Sequence, residues 1–298
     1  GVNPFDMPQP ARHPSPVLPP DMLPQTISVS AHGALIDCPY QFFAARGLGL
    51  RPRDTIREAL EKAEYGELVH FCLELFHAGH EGWPGPFSGK IDPAGRERAI
   101  ALLEEITDTV FTRKLEDNFE HRAWRNRWRA LIPGYIEWQI LRQPDWTFRQ
   151  AELQQTVALG NGRELKGRLD RIDQGADGDA IIDYKTGNPP KQADVDSGEK
   201  VQLSSYALLT DTPPARVEYL KLDCKVTSGA RLEGEALAAL GDAVRRRLID
   251  VLNDIDHGTP LPAWGDSQTC KYCTMDGLCR RQSWPGPVGD DGEGAEPA

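Results

Sequence analysis

The chain has 298 residues, 39% of them hydrophobic, with 45 acidic against 34 basic side chains and a formal net charge of −11. This composition excludes global disorder, and without a run of about 18 apolar residues no membrane span is predicted. Taken alone, the acidic balance argues against a nucleic-acid partner, because phosphate binding relies on lysine and arginine.

Both ends of the chain are predicted to lie outside the folded domain. Residues 1–25 hold eight of the 24 prolines and predict an extended linker. Residues 285–298 carry four acidic and no basic side chains among glycines and prolines, which predicts a disordered acidic tail. The N-terminus has no signal-peptide pattern, so a cytoplasmic location is expected. The missing initiator methionine suggests a piece of a longer protein.

The segment 26–284 between these ends is predicted to form one domain of the α/β class. Its first part, 26–146, is mainly helical, with helices over about 28–43, 56–77 and 93–140. An α/β core over 147–257 follows, and a cysteine-containing segment over 258–284 ends the domain. The core is predicted to have, in order, three strands, a helix, a strand and a helix: Thr147–Leu159, Arg163–Asp173, Ala180–Lys185, Val201–Leu209, Arg216–Asp223 and Glu233–Ile255. This order predicts a mixed sheet flanked by helices.

Acidic side chains and a lysine occupy two neighbouring strands of that core. Side chains two apart on a strand face the same side, so Asp183 and Lys185 project together while Tyr184 faces away. The turn before this strand can bring Asp170 near Asp183. Two carboxylates and a lysine could form a Mg²⁺ site. The tripeptide alone is more often part of a solvated strand face. Glu152 on the preceding strand could reach the site, but the favoured interpretation is a surface carboxylate.

Three of the six cysteines fall in a C-x2-C-x5-C pattern near the C-terminus, at Cys270, Cys273 and Cys279. Three thiolates leave one tetrahedral position open, and Cys38 is the candidate for it. The spacing alone allows either a four-cysteine zinc site or a 4Fe–4S cluster. The other two cysteines are interpreted as core residues, Cys72 and Cys224.

Four motifs in order resemble those of the PD-(D/E)XK nucleases of the RecB/AddB type. They are Gly66-Glu-Leu-Val-His70, Gly167-Arg-Leu-Asp170, Asp183-Tyr-Lys185 and Gln202-Leu-Ser-Ser-Tyr206. The resemblance runs from about residue 29 to residue 279. It implies a restriction-endonuclease-like fold and a Mg²⁺- or Mn²⁺-dependent DNA nuclease.

The resemblance also assigns roles to residues of this chain. It implies that His70, Asp170 and Asp183 bind the divalent metal, with the Tyr184 carbonyl adding a ligand. Lys185 would position the attacking water. Two side chains of the following helix, one turn apart, would order Lys185 or the scissile strand: Gln202 and Tyr206.

The cysteine pattern resembles that of AddB-type nucleases, which implies a 4Fe–4S cluster rather than zinc. Its ligands would be Cys38, Cys270, Cys273 and Cys279, and the cluster would be an iron–sulfur staple joining the N- and C-terminal segments. The resemblance further implies the C-terminal nuclease domain of an AddB-like protein with an AddA-like helicase–nuclease partner subunit. Such a domain would degrade single strands from DNA ends in double-strand-break repair and recombination.

Two other functions remain open at this point, a non-catalytic DNA-end-binding or scaffold module and a stand-alone iron–sulfur nuclease. DNA contacts are sought among arginines interleaved with aromatic residues, since arginines hold phosphates and aromatic rings stack on unpaired bases. The candidates are Arg122, Trp124, Arg125 and Arg168. The favoured alternative is that Trp124 and Trp128 are core residues of a helix whose arginines are solvated.

Overall fold

A computed structural model describes residues 13–51, 62–114, 119–264, 266–271 and 273–284. The chain divides into two compact units. The smaller unit comprises Gly1–Pro24, Ala34–Arg53 and Val251–Ala298, and the larger comprises Gln25–Gly33 and Asp54–Asp250. No helix within the described ranges is both long enough and apolar enough to cross a membrane.

The larger unit is built on one mixed sheet, which has six strands in its described residues. The long strand β3 pairs antiparallel with β2 and β4 and parallel with the short β1. Beyond β4 the sheet continues with β5, which is parallel to β4, and with the antiparallel β6. The strands are β1 (Thr26–Ser28), β2 (Thr147–Gly160), β3 (Arg163–Gly175), β4 (Gly178–Lys185), β5 (Arg216–Leu222) and β6 (Val226–Glu233). The predicted α/β class with a mixed sheet flanked by helices is confirmed.

Local sequence explains why the central strands form. The turn between β2 and β3 has positive φ at three successive residues, Gly160, Asn161 and Gly162. Glycine and asparagine tolerate this conformation best, which is why the sequence predicts the turn. Residues 180–184 of β4 are all buried, as expected for a central strand that pairs with a parallel neighbour. The short β1 and the edge strand β6 were not predicted.

Ten α-helices are found in the described residues, and two predicted helices are interrupted. The helix predicted over 28–43 breaks at Cys38, which is extended and precedes Pro39, because a residue before proline disfavours helical geometry. The helical region predicted over 93–140 is two helices, and residues 56–61 of another predicted helix lie outside the described residues. The helices are α1 (Val29–Asp37), α2 (Pro39–Phe42), α3 (Lys62–His77), α4 (Arg96–Lys114), α5 (Phe119–Arg142), α6 (Gln192–Asp196), α7 (Gln202–Ala207), α8 (Gly234–Asp256), α9 (Ser267–Lys271) and α10 (Asp276–Cys279).

The main core of the larger unit lies between helices α3, α4 and α5 and one face of β4 and β5. Tyr184 and Leu220 belong to this core together with apolar side chains of the three helices. Trp128 is fully buried in it and Trp124 packs against it. The alternative interpretation of these two tryptophans, as core residues of a helix, therefore fits their position.

A network of charged side chains is buried beside this core. Asp173 accepts hydrogen bonds from Arg142 Nε and Arg171 Nε, each at 2.6 Å. Arg142 Nη1 also donates to Glu218 at 2.6 Å. Arg171 and Asp173 are both 0% exposed, so each charge depends on its partners for compensation.

In the smaller unit, an extended segment pairs with the chain that follows α8. Leu261 and Ala263 donate backbone hydrogen bonds to the carbonyls of Pro16 and Pro14 at 2.7 and 2.9 Å. Leu18 is fully buried. This segment is the described part of the predicted linker, whereas residues 1–12 and the predicted tail, 285–298, lie outside the described residues.

We expect His32 to make the larger unit sensitive to mild acid. His32 is fully buried, with Nδ1 at 3.1 Å from Ser205 Oγ, and burial followed by the charge of Arg247 lowers its pKa to about 4. The unfolded chain, with a histidine pKa of about 6.5, therefore binds the proton first as the pH falls. The free energy of unfolding should drop by about 3 kcal/mol from this residue between pH 7 and pH 4.

Denaturant unfolding across this pH range, compared between the wild type and His32→Asn, measures this contribution. The asparagine does not titrate, so the variant should show a correspondingly smaller loss of stability on acidification. An identical pH dependence in both proteins would contradict the assignment.

Candidate active site

A histidine and an aspartate meet at the point where α3 approaches the sheet. His70 Nδ1 lies 3.5 Å from Asp170 Oδ2, and His70 Nε2 lies 3.1 Å from the backbone oxygen of Tyr184. The backbone N–H of Tyr184 donates to Asp170 Oδ2 at 2.9 Å. The structure thus brings together three of the residues that the resemblance assigns to a metal, including the predicted Tyr184 carbonyl.

Asp183 and Lys185 project from β4 to the same side. The Lys185 ammonium lies 2.6 Å from Asp183 Oδ2, and the Tyr184 side chain points away into the core. This arrangement confirms the alternation expected from the strand period. Asp183 is almost fully buried, whereas the Lys185 side chain is 30% exposed, so the lysine can reach a molecule in solvent.

Helix α7 holds Asp183 from the other side. Gln202 Nε2 and Tyr206 Oη each donate to Asp183 Oδ1 at 2.9 Å. Gln202 Nε2 is also 2.9 Å from Tyr206 Oη, and its Oε1 accepts from Tyr219 Oη at 3.2 Å. Gln202 and Tyr206 thus share one face of α7 as predicted. Within the structure they contact Asp183, whereas the resemblance implied that they order Lys185 or the DNA strand.

Glu152 completes the group, and the interpretation of it as a surface carboxylate is wrong. Ligand atoms of His70, Glu152 and Asp170 lie within 4.8 Å of one another, close enough to share a metal ion. The Glu152 side chain is only 13% exposed and pairs with Arg168 at 2.9 Å. Its backbone has φ +51°, an uncommon conformation for glutamate inside a strand.

The register of the β2–β3 ladder is what brings Glu152 to the site. Ala151 pairs with Arg171 and Leu153 with Leu169, so Glu152 lies opposite Asp170. Neither strand's own sequence specifies which residues face each other across the ladder. The hairpin turn is the signal in the sequence that could have suggested this pairing.

Asp170 raises the proton affinity of the two other carboxylates of the site. Burial alone would raise the pKa of Asp170 itself, but the charge and hydrogen bond of His70, the Tyr184 N–H and Lys185 outweigh burial and lower it. Burial, and then the charge of Asp170, raise the pKa of Asp183 to about 6 against the opposing charge of Lys185. Burial and Asp170 likewise raise the pKa of Glu152 to about 7. Burial disfavours the charged form of His70, but the surrounding carboxylates outweigh it and raise the pKa of the imidazole.

The donor set fits a divalent cation. Burial and the charge of Asp170 raise the pKa values of Asp183 and Glu152, and a bound positive charge would offset both effects. Carboxylate and carbonyl oxygens are the ligands that Mg²⁺ and Mn²⁺ prefer. His70, Glu152, Asp170 and the Tyr184 carbonyl would hold such an ion, with Asp183 beside them.

Two glycines of the sequence motifs permit close approaches around the site. A Cβ at Gly66 would lie 3.2 Å from Thr186 Oγ1, directly after β4. A Cβ at Gly167 would lie 2.4 Å from Leu209 Cδ1. A side chain at Gly66 would thus require a small shift of Thr186, and one at Gly167 would require the Leu209 side chain to move.

The predicted DNA-contacting residues are not all at this site. Arg168 is 61% exposed and reaches the site through Glu152. Trp124 packs near Tyr65, with ring centroids 5.5 Å apart, and Arg125 lies 3.8 Å from Asp108. Arg122 is exposed on the same helix, α5.

The four predicted cluster cysteines all belong to the smaller unit. Burial raises the pKa of the Cys273 thiol, and the charges of Cys38, Cys270 and Cys279 raise it further. Cys38, Cys270 and Cys279 therefore lie within electrostatic range of Cys273. Cys38 is buried and the other three are partly exposed.

Of the two remaining cysteines, one was interpreted correctly. Cys72 is fully buried in the core of the larger unit. Cys224 is exposed, which contradicts its interpretation as a core residue. It follows β5 at the turn into β6, where the chain reverses at the surface.

Comparison with known proteins gives one family over most of the chain. The family model described as the PD-(D/E)XK nuclease superfamily matches residues 26–280. A crystal structure of a protein from Eubacterium rectale aligns with a TM-score of 0.43 and 12% identity, covering 83% of this chain and 88% of that one. A structural similarity at this level adds nothing to the assignment.

Two kinds of curated relatives align with this chain. An uncharacterized protein of Rickettsia conorii is 26% identical over 191 residues, which is 62% of this chain and 22% of that protein. A subunit of the ATP-dependent helicase/deoxyribonuclease of Desulforamulus reducens is 26% identical over 203 residues, 60% of this chain and 17% of that relative. The aligned part is thus about a fifth of each relative's length.

Proposed function

The chain belongs to the PD-(D/E)XK nuclease superfamily, and we propose that it is a divalent-metal-dependent deoxyribonuclease. The observation that carries the proposal is the group His70, Glu152 and Asp170 beside the ion pair of Asp183 and Lys185. A non-catalytic module would not need a partly exposed ammonium next to an acidic cluster that can hold a metal ion.

The reaction proposed is hydrolysis of a phosphodiester. Water adds to phosphorus, the bond from phosphorus to the 3′ oxygen breaks, and the products are a 5′-phosphate and a 3′-hydroxyl. A bound divalent cation would supply Lewis-acid chemistry at the phosphate and at the water.

We assign a different role in the reaction to each side chain of this site. Lys185 is solvent-accessible and close to Asp183, so its ammonium can orient the attacking water and offset charge on the phosphate. Gln202 and Tyr206 fix Asp183 through its Oδ1, which leaves Oδ2 for the lysine. Arg168, exposed beside Glu152, is the proposed contact to a backbone phosphate of the DNA.

Removing the metal should abolish activity. We expect the purified protein to degrade end-labelled single-stranded DNA with Mg²⁺ or Mn²⁺, and to stop when excess EDTA is added. Labels on the 5′ or 3′ end report whether degradation starts at an end and from which one. The proposal of a nuclease fails if metal-loaded protein leaves every labelled strand intact.

We also propose a 4Fe–4S cluster in the smaller unit, held by Cys38, Cys270, Cys273 and Cys279. The support is that Cys38 and Cys270 lie within electrostatic range of both Cys273 and Cys279, although Cys38 is 232 residues from Cys270 in the sequence. Thiolates are the usual ligands of such clusters. Its role would be a structural staple between two remote segments of the chain.

Anaerobically purified protein should accordingly be brown and absorb broadly near ~400 nm, as thiolate-bound iron–sulfur clusters do. Cys273→Ser should remove this absorbance. Cys224→Ser is the matched control, since Cys224 is exposed and should leave the colour unchanged. A colourless wild-type protein containing one equivalent of zinc would show that the cluster assignment is wrong.

The cellular role proposed is processing of DNA ends in double-strand-break repair, in the cytoplasm. It is supported by the relatives whose names describe a component of an ATP-dependent helicase/deoxyribonuclease. On this proposal the chain is the nuclease part of a longer polypeptide, and an AddA-like helicase–nuclease protein is its partner. Single strands released from an end would be its substrate.

A further inference from the structure

A cavity of about 250 Å³ opens on the larger unit away from the metal-competent group. It lies where the C-terminal ends of α3 and α5 meet the start of β2. The side chains that matter for its chemistry are Phe76, His77, Phe87, Gln139, Trp146 and Phe148.

The walls of this cavity are flat aromatic faces. Phe87 stacks on Phe76 with ring centroids 5.7 Å apart, and Phe148 stacks on His77 at 5.0 Å. Phe87, Trp146 and Phe148 are only half-buried. Phe87 and Phe148 can therefore contact a planar ligand as well as their protein neighbours, whereas the Trp146 ring already lies against the guanidinium groups of Arg142 and Arg216.

Gln139 supplies a polar group that the protein itself does not use. The residue is 7% exposed, and its side-chain Oε1 is buried without a hydrogen-bond partner among the described residues. Leaving a buried acceptor unpaired is costly, so such an atom calls for a ligand that donates to it.

A second glutamine in the cavity wall, unlike Gln139, has hydrogen-bond partners for its side chain. Gln143, the residue directly after α5, accepts from the backbone N–H of Ile91 at 2.8 Å and donates to its carbonyl at 2.7 Å. Gln143 is thus engaged in holding the loop before α4. Of the two side chains, Gln139 is the one whose Oε1 has no hydrogen-bond partner among the described residues.

The position of the cavity relates it to the proposed active site. His77 in its wall and His70 in the metal-competent group lie on the same helix, seven residues apart. Two turns of helix separate them, about 10 Å along the axis. At the rim, Lys90 is exposed and offers a positive charge to a phosphate.

We propose that this cavity binds one base of the DNA strand, at a distance from the bond that is cut. Aromatic faces would stack on the base, Gln139 Oε1 would accept a hydrogen bond from its edge, and Lys90 would contact the neighbouring phosphate. The inference rests on the proposed nuclease function, because the base belongs to that substrate. The cavity would then be a second binding site for the strand, which positions the DNA without contacting the phosphate that is cut.

The test is an abasic scan of binding. Single-stranded oligonucleotides carrying one abasic residue, moved stepwise from the end, are bound to the wild-type protein in EDTA, where no cleavage occurs. Fluorescence anisotropy gives the dissociation constant for each. We expect one position at which loss of the base weakens binding about tenfold, the range of a lost stacking contact.

The variant Gln139→Leu then tests whether the base at the sensitive position of the oligonucleotide binds in this cavity. The variant should keep the wild-type melting temperature, since it removes an unpaired acceptor, and should reduce the position-specific penalty several-fold. Gln143→Leu is the structural counterpart, because it should lower the melting temperature by breaking two hydrogen bonds to Ile91. A flat scan, or a penalty in Gln139→Leu equal to that in the wild type, overturns the inference.

The outcome is separable from that of the proposed function. Metal-dependent cleavage with a flat scan would leave the nuclease standing and remove only the base subsite. A wild-type protein that neither binds nor cleaves single-stranded DNA would remove both.

Discussion

Replacing Asp183 with asparagine is expected to reduce metal-dependent DNA cleavage by at least about a hundredfold, the size of effect seen when one charge-stabilising group is removed from an active site. Asparagine keeps an oxygen for the hydrogen bonds from Gln202 and Tyr206. It removes the negative charge beside Lys185 and beside the proposed cation. The fold around α7 should therefore survive while the chemistry is lost.

Asp179→Asn provides the matched control for this change. Asp179 lies on the same strand, β4, and pairs with the exposed Arg149, so its loss should leave the rate unchanged. Rates are compared on end-labelled single-stranded DNA at saturating Mg²⁺, together with circular dichroism of each protein. Wild-type activity in Asp183→Asn would exclude a catalytic role for this carboxylate.

Replacing Asp173 with alanine is expected to destabilise the protein by about 3–5 kcal/mol, the cost of breaking a buried ion pair from one side. Asp173 bonds to both Arg142 and Arg171 at 2.6 Å. Its removal leaves Arg171, which is fully buried, without its carboxylate, while Glu218 still compensates Arg142.

The free energy of unfolding from denaturant titration measures this effect. Asp108→Ala is the control, because Asp108 pairs with Arg129 at 3.1 Å with both side chains more than a third exposed. A pair so exposed contributes up to about 1 kcal/mol. Equal losses for the two variants would show that the buried network does not stabilise the fold.

The central part of the fold follows from short-range patterns in the sequence. The Gly160-Asn161-Gly162 turn and the shared side of Asp183 and Lys185, opposite to Tyr184, are properties of neighbouring residues, and both occur as expected. The short β1 could not be recognised in this way. It has three residues, too few for a period, and it exists because β3 offers it an edge to pair with.

The charged residues show that net charge and local charge runs are poor guides to DNA binding. A net charge of −11 argues against nucleic acid, yet several acids converge on one site where a cation would compensate them. Conversely, the arginines around Trp124 suggest a DNA-binding run, but Arg125, Arg127 and Arg129 pair with acids of the same unit. Which charges neutralise one another depends on contacts between elements.

The sequence by itself determined the family motifs, the mixed α/β class and the shared direction of Asp183 and Lys185. Each of these depends on residue order or on the two-residue period of a strand, which are local properties. Only the tertiary structure added Glu152 to His70 and Asp170, buried the pair Arg171 and Asp173, and left Gln139 facing a cavity. Those outcomes depend on strand register and helix packing, where residues far apart in sequence meet, and no single segment specifies its distant neighbours.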